Sequence, residues 1–81
     1  MKIAQDPYDE LAQIAGRRAQ RAVASLEEAS LAFEEGRERD SLKIVKPLFD
    51  SFPQSSGVQE LYGMSLYATG RFKQAKPILE D

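Results

Sequence analysis

Leu61–Leu79 reads LYGMSLYATGRFKQAKPIL. Leu61, Tyr62, Met64 and Leu66 sit in a run with helical spacing, and no residue before Thr69 breaks it. Thr69-Gly70-Arg71 then supplies a turn, because Gly70 can adopt the left-handed conformation that closes a helix. A second helix is expected from Phe72, with Ala75, Ile78 and Leu79 as its apolar residues. Pro77 lies about one turn in, where a missing amide costs less than at mid-helix. The stretch is a helical hairpin.

The same hairpin is written once more upstream. Glu35-Gly36-Arg37 precedes Thr69-Gly70-Arg71 by 34 residues. At that offset Ala29 matches Gly63, Ala32 matches Leu66, Phe33 matches Tyr67, Ser41 matches Ala75, and Val45 matches Leu79. Several of these pairs keep size or aromatic character. A helix-turn-helix unit of this period is the signature of a stacked helical array.

These residues resemble the tetratricopeptide repeat family. In residues 56–81, Tyr62-Gly63 falls on the family's Leu-Gly step and Leu66 on its first aromatic position. Gly70 and Phe72 fall on the turn glycine and the aromatic after it, Ala75 on the small residue of the second helix, and Leu79 on its large one. Residues 22–55 resemble a degenerate unit, in which Gly36, Ser41, Val45, Leu48 and Pro53 fit. Ser25 and Gln59 stand where the family has Trp, Glu28 stands at a core position, and the prolines inside both second helices are atypical. The resemblance implies an all-α fold of antiparallel hairpins, a fragment of an α-solenoid. It implies a concave surface at Val23, Leu26, Ser30, Phe33 and Glu34, then Glu60, Met64, Tyr67 and Ala68. Leu26, Phe33, Glu60, Met64 and Tyr67 are the expected partner contacts. The Lys and Asn residues with which family members clamp a C-terminal carboxylate are missing from these positions, so the groove suits an amphipathic helix or an extended peptide.

Ahead of the repeats, residues 1–6 are expected to form a disordered start, with Asp6 able to cap the helix that Pro7 opens. Asp9 and Glu10 suit the positive end of that helix. An apolar stripe follows at Tyr8, Leu11, Ala15, Ala19, Ala22, Leu26, Ala29 and Phe33, in steps of three and four without a phase break. This predicts one helix from about Pro7 to Glu35, roughly 43 Å long at the standard rise; the alternative is two helices broken near Gly16. Residues 7–21 would extend the array, packing on its open end, in its groove or against a second copy. The next helix spans about Glu38–Ser51, kinked at Pro47 unless Pro47 starts a fresh one. Residues 52–57 are a loop by composition. Residues 7–81 form one domain, whose uncapped last helix points either to a longer array or to cover by another subunit.

Composition narrows the chemistry. The 81 residues contain no Cys and no His, which removes thiolate nucleophiles, the usual general base and the commonest transition-metal ligand. No enzyme activity, metal or cofactor is expected. The net charge of −2 does not favour nucleic acid, and Arg17, Arg18 and Arg21 form the only basic cluster evident along the chain, most simply a solvated face. No apolar run approaches a membrane span and no leader is evident, so a cytoplasmic protein is expected. A protein or peptide partner is the leading expectation. The rival is a homo-oligomer that dimerises through the Tyr8–Phe33 stripe; nucleic-acid binding through the arginines comes third.

Overall fold

The computed structural model describes residues 6–79. The expectation for residues 1–5 lies outside them. Asp6, grouped above with the disordered start, belongs to the helix instead. Its carboxylate accepts from the amides of Tyr8 and Asp9 at 2.7 and 3.3 Å, so it is a working N-cap.

The described residues are all helix and turn. The α-helices are α1 (Pro7–Ala15), α2 (Ala19–Glu34), α3 (Glu38–Ser51), α4 (Ser56–Ala68) and α5 (Phe72–Leu79), with a 3₁₀ turn at Gly16–Arg18. Neighbouring helices pack as antiparallel hairpins. Helix α3 runs through Pro47 as one element. Ser55, fully buried, caps α4 by accepting from the Val58 amide.

The expected continuous first helix is broken. Gly16 takes φ 57°, a backbone setting that L side chains rarely occupy, and the chain reverses there. A straight helix would hold Pro7 and Glu34 roughly 40 Å apart, yet both border one cleft in a molecule only 37 Å long. The apolar stripe explains why. Leu11 from α1 joins Ala22, Leu26 and Ala29 from α2 in one buried cluster, flanked by Tyr8 and Ala15. The stripe closes on itself, so it is not the exposed dimerisation face that a continuous helix would present.

Helix α1 also rests on α4. Both Ser56 N–H (2.7 Å) and Ser56 Oγ–H (2.6 Å) donate to Glu10 Oε1. Glu10 therefore serves the amino end of α4, not only that of its own helix, and meets the positive end of that dipole. The approach requires Gly57, where an added Cβ would lie 2.6 Å from Pro7 Cβ. These hydrogen bonds hold the Glu10 carboxyl below its ordinary range. A depressed carboxyl stabilises the fold above the unfolded value near 4.3 and loses that contribution as pH falls through the folded value. Glu10→Gln is expected to destabilise the chain by up to about 1 kcal/mol at pH 7, the effect being limited by solvent. The gap from wild type should narrow in paired urea titrations as pH falls from neutral through the folded value. A gap independent of pH would show that the charge contributes nothing.

The two hairpins match bond for bond. Arg37 N–H donates to Ala32 O and Arg71 N–H to Leu66 O, both at 2.8 Å. Gly36 N–H donates to Phe33 O (3.1 Å) and Gly70 N–H to Tyr67 O (3.0 Å), with φ of 83° and 84° at the glycines. This is a Schellman ending used twice. The next amides repeat too: Ser41 to Arg37 O and Ala75 to Arg71 O, each 3.0 Å. The hairpins are joined where Phe49 of α3 stacks on Tyr62 of α4, ring centroids 4.5 Å apart. Elsewhere along the same two helices the Ser41 and Ser65 hydroxyls, both fully buried, satisfy each other at 3.1 Å.

Candidate partner-binding surface

The fold gathers most of the expected groove into one cleft of about 210 Å³. Ser30, Phe33 and Glu34 line it from α2, Glu60 and Met64 from α4, and Pro7 and Tyr8 from α1. Glu34 and Glu60 are exposed at its edge, Ser30 and Phe33 are half-buried, and Met64 is partly open. Gly57 and Leu61 complete the lining. The cleft thus has apolar walls and an acidic margin. Its volume is below the range usual for small-molecule sites and suits one or two side chains.

The five expected contacts divide. Phe33, Glu60 and Met64 share this cleft. Leu26 reaches it only as its floor and is 2 % exposed, so it is a core residue and not the open partner contact expected. Leu26 is buried in the cluster that Leu11 of α1 forms with Val45 and Leu48 of α3 and Val58 and Leu61 of α4. Tyr67 lies outside the cleft lining, 60 % exposed, with its ring edge-on to Phe72 at 4.8 Å. Val23 and Ala68 do not line the cleft either. Pro7 and Tyr8 were absent from the expected set; the only hint was that the chain's own first helix could occupy the groove.

Arg17, Arg18 and Arg21 border an open shelf at the α1–α2 reversal and are exposed. They are not the only basic cluster. Arg39 and Lys43, one turn apart on α3, meet the sequence-distant Arg71 around Leu42 where α3 passes the α4–α5 turn. No spacing rule links Arg71 to the other two, so only the hairpin stacking reveals it. Among the described residues no three His, Cys, Asp or Glu side chains converge as a cation site. Nor is any helix among them long and apolar enough to cross a membrane.

The molecule is an all-α protein of stacked helical hairpins. Comparison with family models, curated proteins and solved structures finds no match.

Proposed function

We propose that this chain is a non-catalytic protein-interaction scaffold built on tetratricopeptide-like hairpins. Its cleft receives an apolar side chain of a helical or extended peptide, with a neighbouring Lys or Arg meeting Glu34 and Glu60. The observation that carries this reading is convergence: residues of α2 and α4 that the family resemblance implied as groove-facing share a single cleft with an acidic rim. Rim charges of this kind steer and select partners more than they tighten them.

The test is selection of binders from a random displayed-peptide library on the immobilised 81-residue chain. Enriched peptides should pair an aliphatic or aromatic anchor with a nearby basic residue. Phe33→Ala/Met64→Ala should weaken the best of them by about tenfold or more, a loss typical of anchor-pocket truncation. Glu34→Lys/Glu60→Lys should shift the selected charge from basic to acidic. Enrichment unaffected by all four substitutions would remove the cleft from the account.

Self-association is the second reading. It is favoured by four large apolar side chains outside the cleft, Leu31, Tyr67, Phe72 and Leu79, which are 43 to 60 % exposed.

A further inference from the structure

The relation between the two hairpins can be applied once more. Helix α4 docks on α3 through the Ser41–Ser65 hydroxyl pair, and Leu42 and Tyr62 border one cleft between those helices. Moving each partner by one repeat replaces α3 with α5 and α4 with the α2 of a second molecule. Ser41 and Ser65 become Ala75 and Leu31. Leu42 and Tyr62 become Lys76 and Glu28, and Leu61 becomes Glu27.

Each exchange is chemically matched. The polar pair turns apolar: Leu31, 52 % exposed, is carried over the α4–α5 seam at Ala75, beside Leu79. The apolar pair turns into opposite charges, with Glu27 and Glu28 exposed on α2 and Lys73 and Lys76 exposed on α5. The receiving face is closed at Ala75, which is fully buried, and open at its outer end. Val45 on α3 is fully buried, whereas its counterpart Leu79 on α5 is 43 % exposed. Helix α1 leaves the donor face of α2 clear, since it covers the Ala22, Leu26 and Ala29 side.

We propose that copies of this chain stack head to tail, the Ala24–Leu31 face of α2 docking on the α5 end of the next copy by the relation that joins the two hairpins within one chain. The inference deepens the self-association reading and is independent of the peptide cleft. Because the interface is heterologous and leaves one face free at each end, association grows beyond the dimer with concentration. It weakens as salt rises, through the Glu27, Glu28, Lys73 and Lys76 pairs.

Sedimentation equilibrium of the 81-residue chain, from micromolar to millimolar concentration at low and high salt, reads this directly. Wild type should pass through dimer to larger species at low salt. Glu27→Lys/Glu28→Lys blocks one end and Lys73→Glu/Lys76→Glu the other, so each alone should weaken association at least about tenfold, as like charges meet. All four residues are exposed, so circular dichroism should show unchanged helicity. Mixing the two variants sets opposite charges against each other at both kinds of junction, one native and one reversed, and should restore alternating growth beyond the dimer. A dimer that survives Glu27→Lys/Glu28→Lys would overturn the head-to-tail geometry while keeping self-association. A wild-type monomer at millimolar concentration and low salt would overturn both.

Discussion

Leu11→Ala is expected to cost about 2–5 kcal/mol, the range for truncating a fully buried leucine. Leu11 is 0 % exposed and belongs to the cluster that unites α1 with Ala22, Leu26 and Ala29 of α2, and beyond them Val45, Leu48, Val58 and Leu61. A chain of this size holds a margin of roughly 5–10 kcal/mol, so the loss would lower the melting midpoint by about 10 °C or more. The measurement is urea or thermal unfolding followed by circular dichroism. It also discriminates between the two forms of the first helix. In a continuous helix projecting from the bundle, Leu11 would be solvated and its truncation would cost a few tenths of a kcal/mol, as for exposed surface sites. A change under about 0.5 kcal/mol would therefore mean that α1 does not fold back at Gly16.

Gly63→Ala is expected to destabilise the chain by up to about 2 kcal/mol, against the usual direction for a glycine inside a helix. Helix propensity favours Ala by about 1 kcal/mol, while overpacking costs about 1–3 kcal/mol. Here the added Cβ would lie 2.5 Å from Leu79 Cδ2, 2.7 Å from Leu79 Cγ and 3.2 Å from Ile78 Cγ2, so the Leu79 side chain must give up its packing on α4 or α5 must move with it. The sibling hairpin shows how to accommodate it: Ala29 and Val45 occupy the equivalent positions, and both are fully buried. Gly63→Ala/Leu79→Val copies that pair and should recover wild-type stability or exceed it. A double-mutant cycle by urea denaturation checks this, the coupling being favourable if the two side chains share the space. Strictly additive effects would show that α5 does not pack on Gly63.

The repeat was legible in the sequence because its markers are local. Gly36 and Gly70 each close a helix through hydrogen bonds to carbonyls three to five residues back, so a short window contains the cause. Helices α3, α4 and α5 begin within a residue or two of where periodicity and capping put them, and Pro47 proved tolerable inside α3. The candidate site was legible in part. Phe33, Glu60 and Met64 came together because the repeat relates α2 to α4, whereas Leu26 was misread as an open contact and Pro7 and Tyr8 were missed.

What the sequence determined by itself is the helical content, the two matched hairpins and the absence of Cys and His. What only the tertiary structure decided is the path of the first thirty residues. A stripe stepping by three and four from Tyr8 to Phe33 is equally apolar whether the helix runs straight or doubles back, so periodicity cannot choose between them. The choice is made by long-range burial of Leu11, by the Glu10–Ser56 hydrogen bonds across 46 residues, and by the absence of a side chain at Gly57. Those terms exist only once α4 is in place; Gly16 marks where the chain can turn, not that it does.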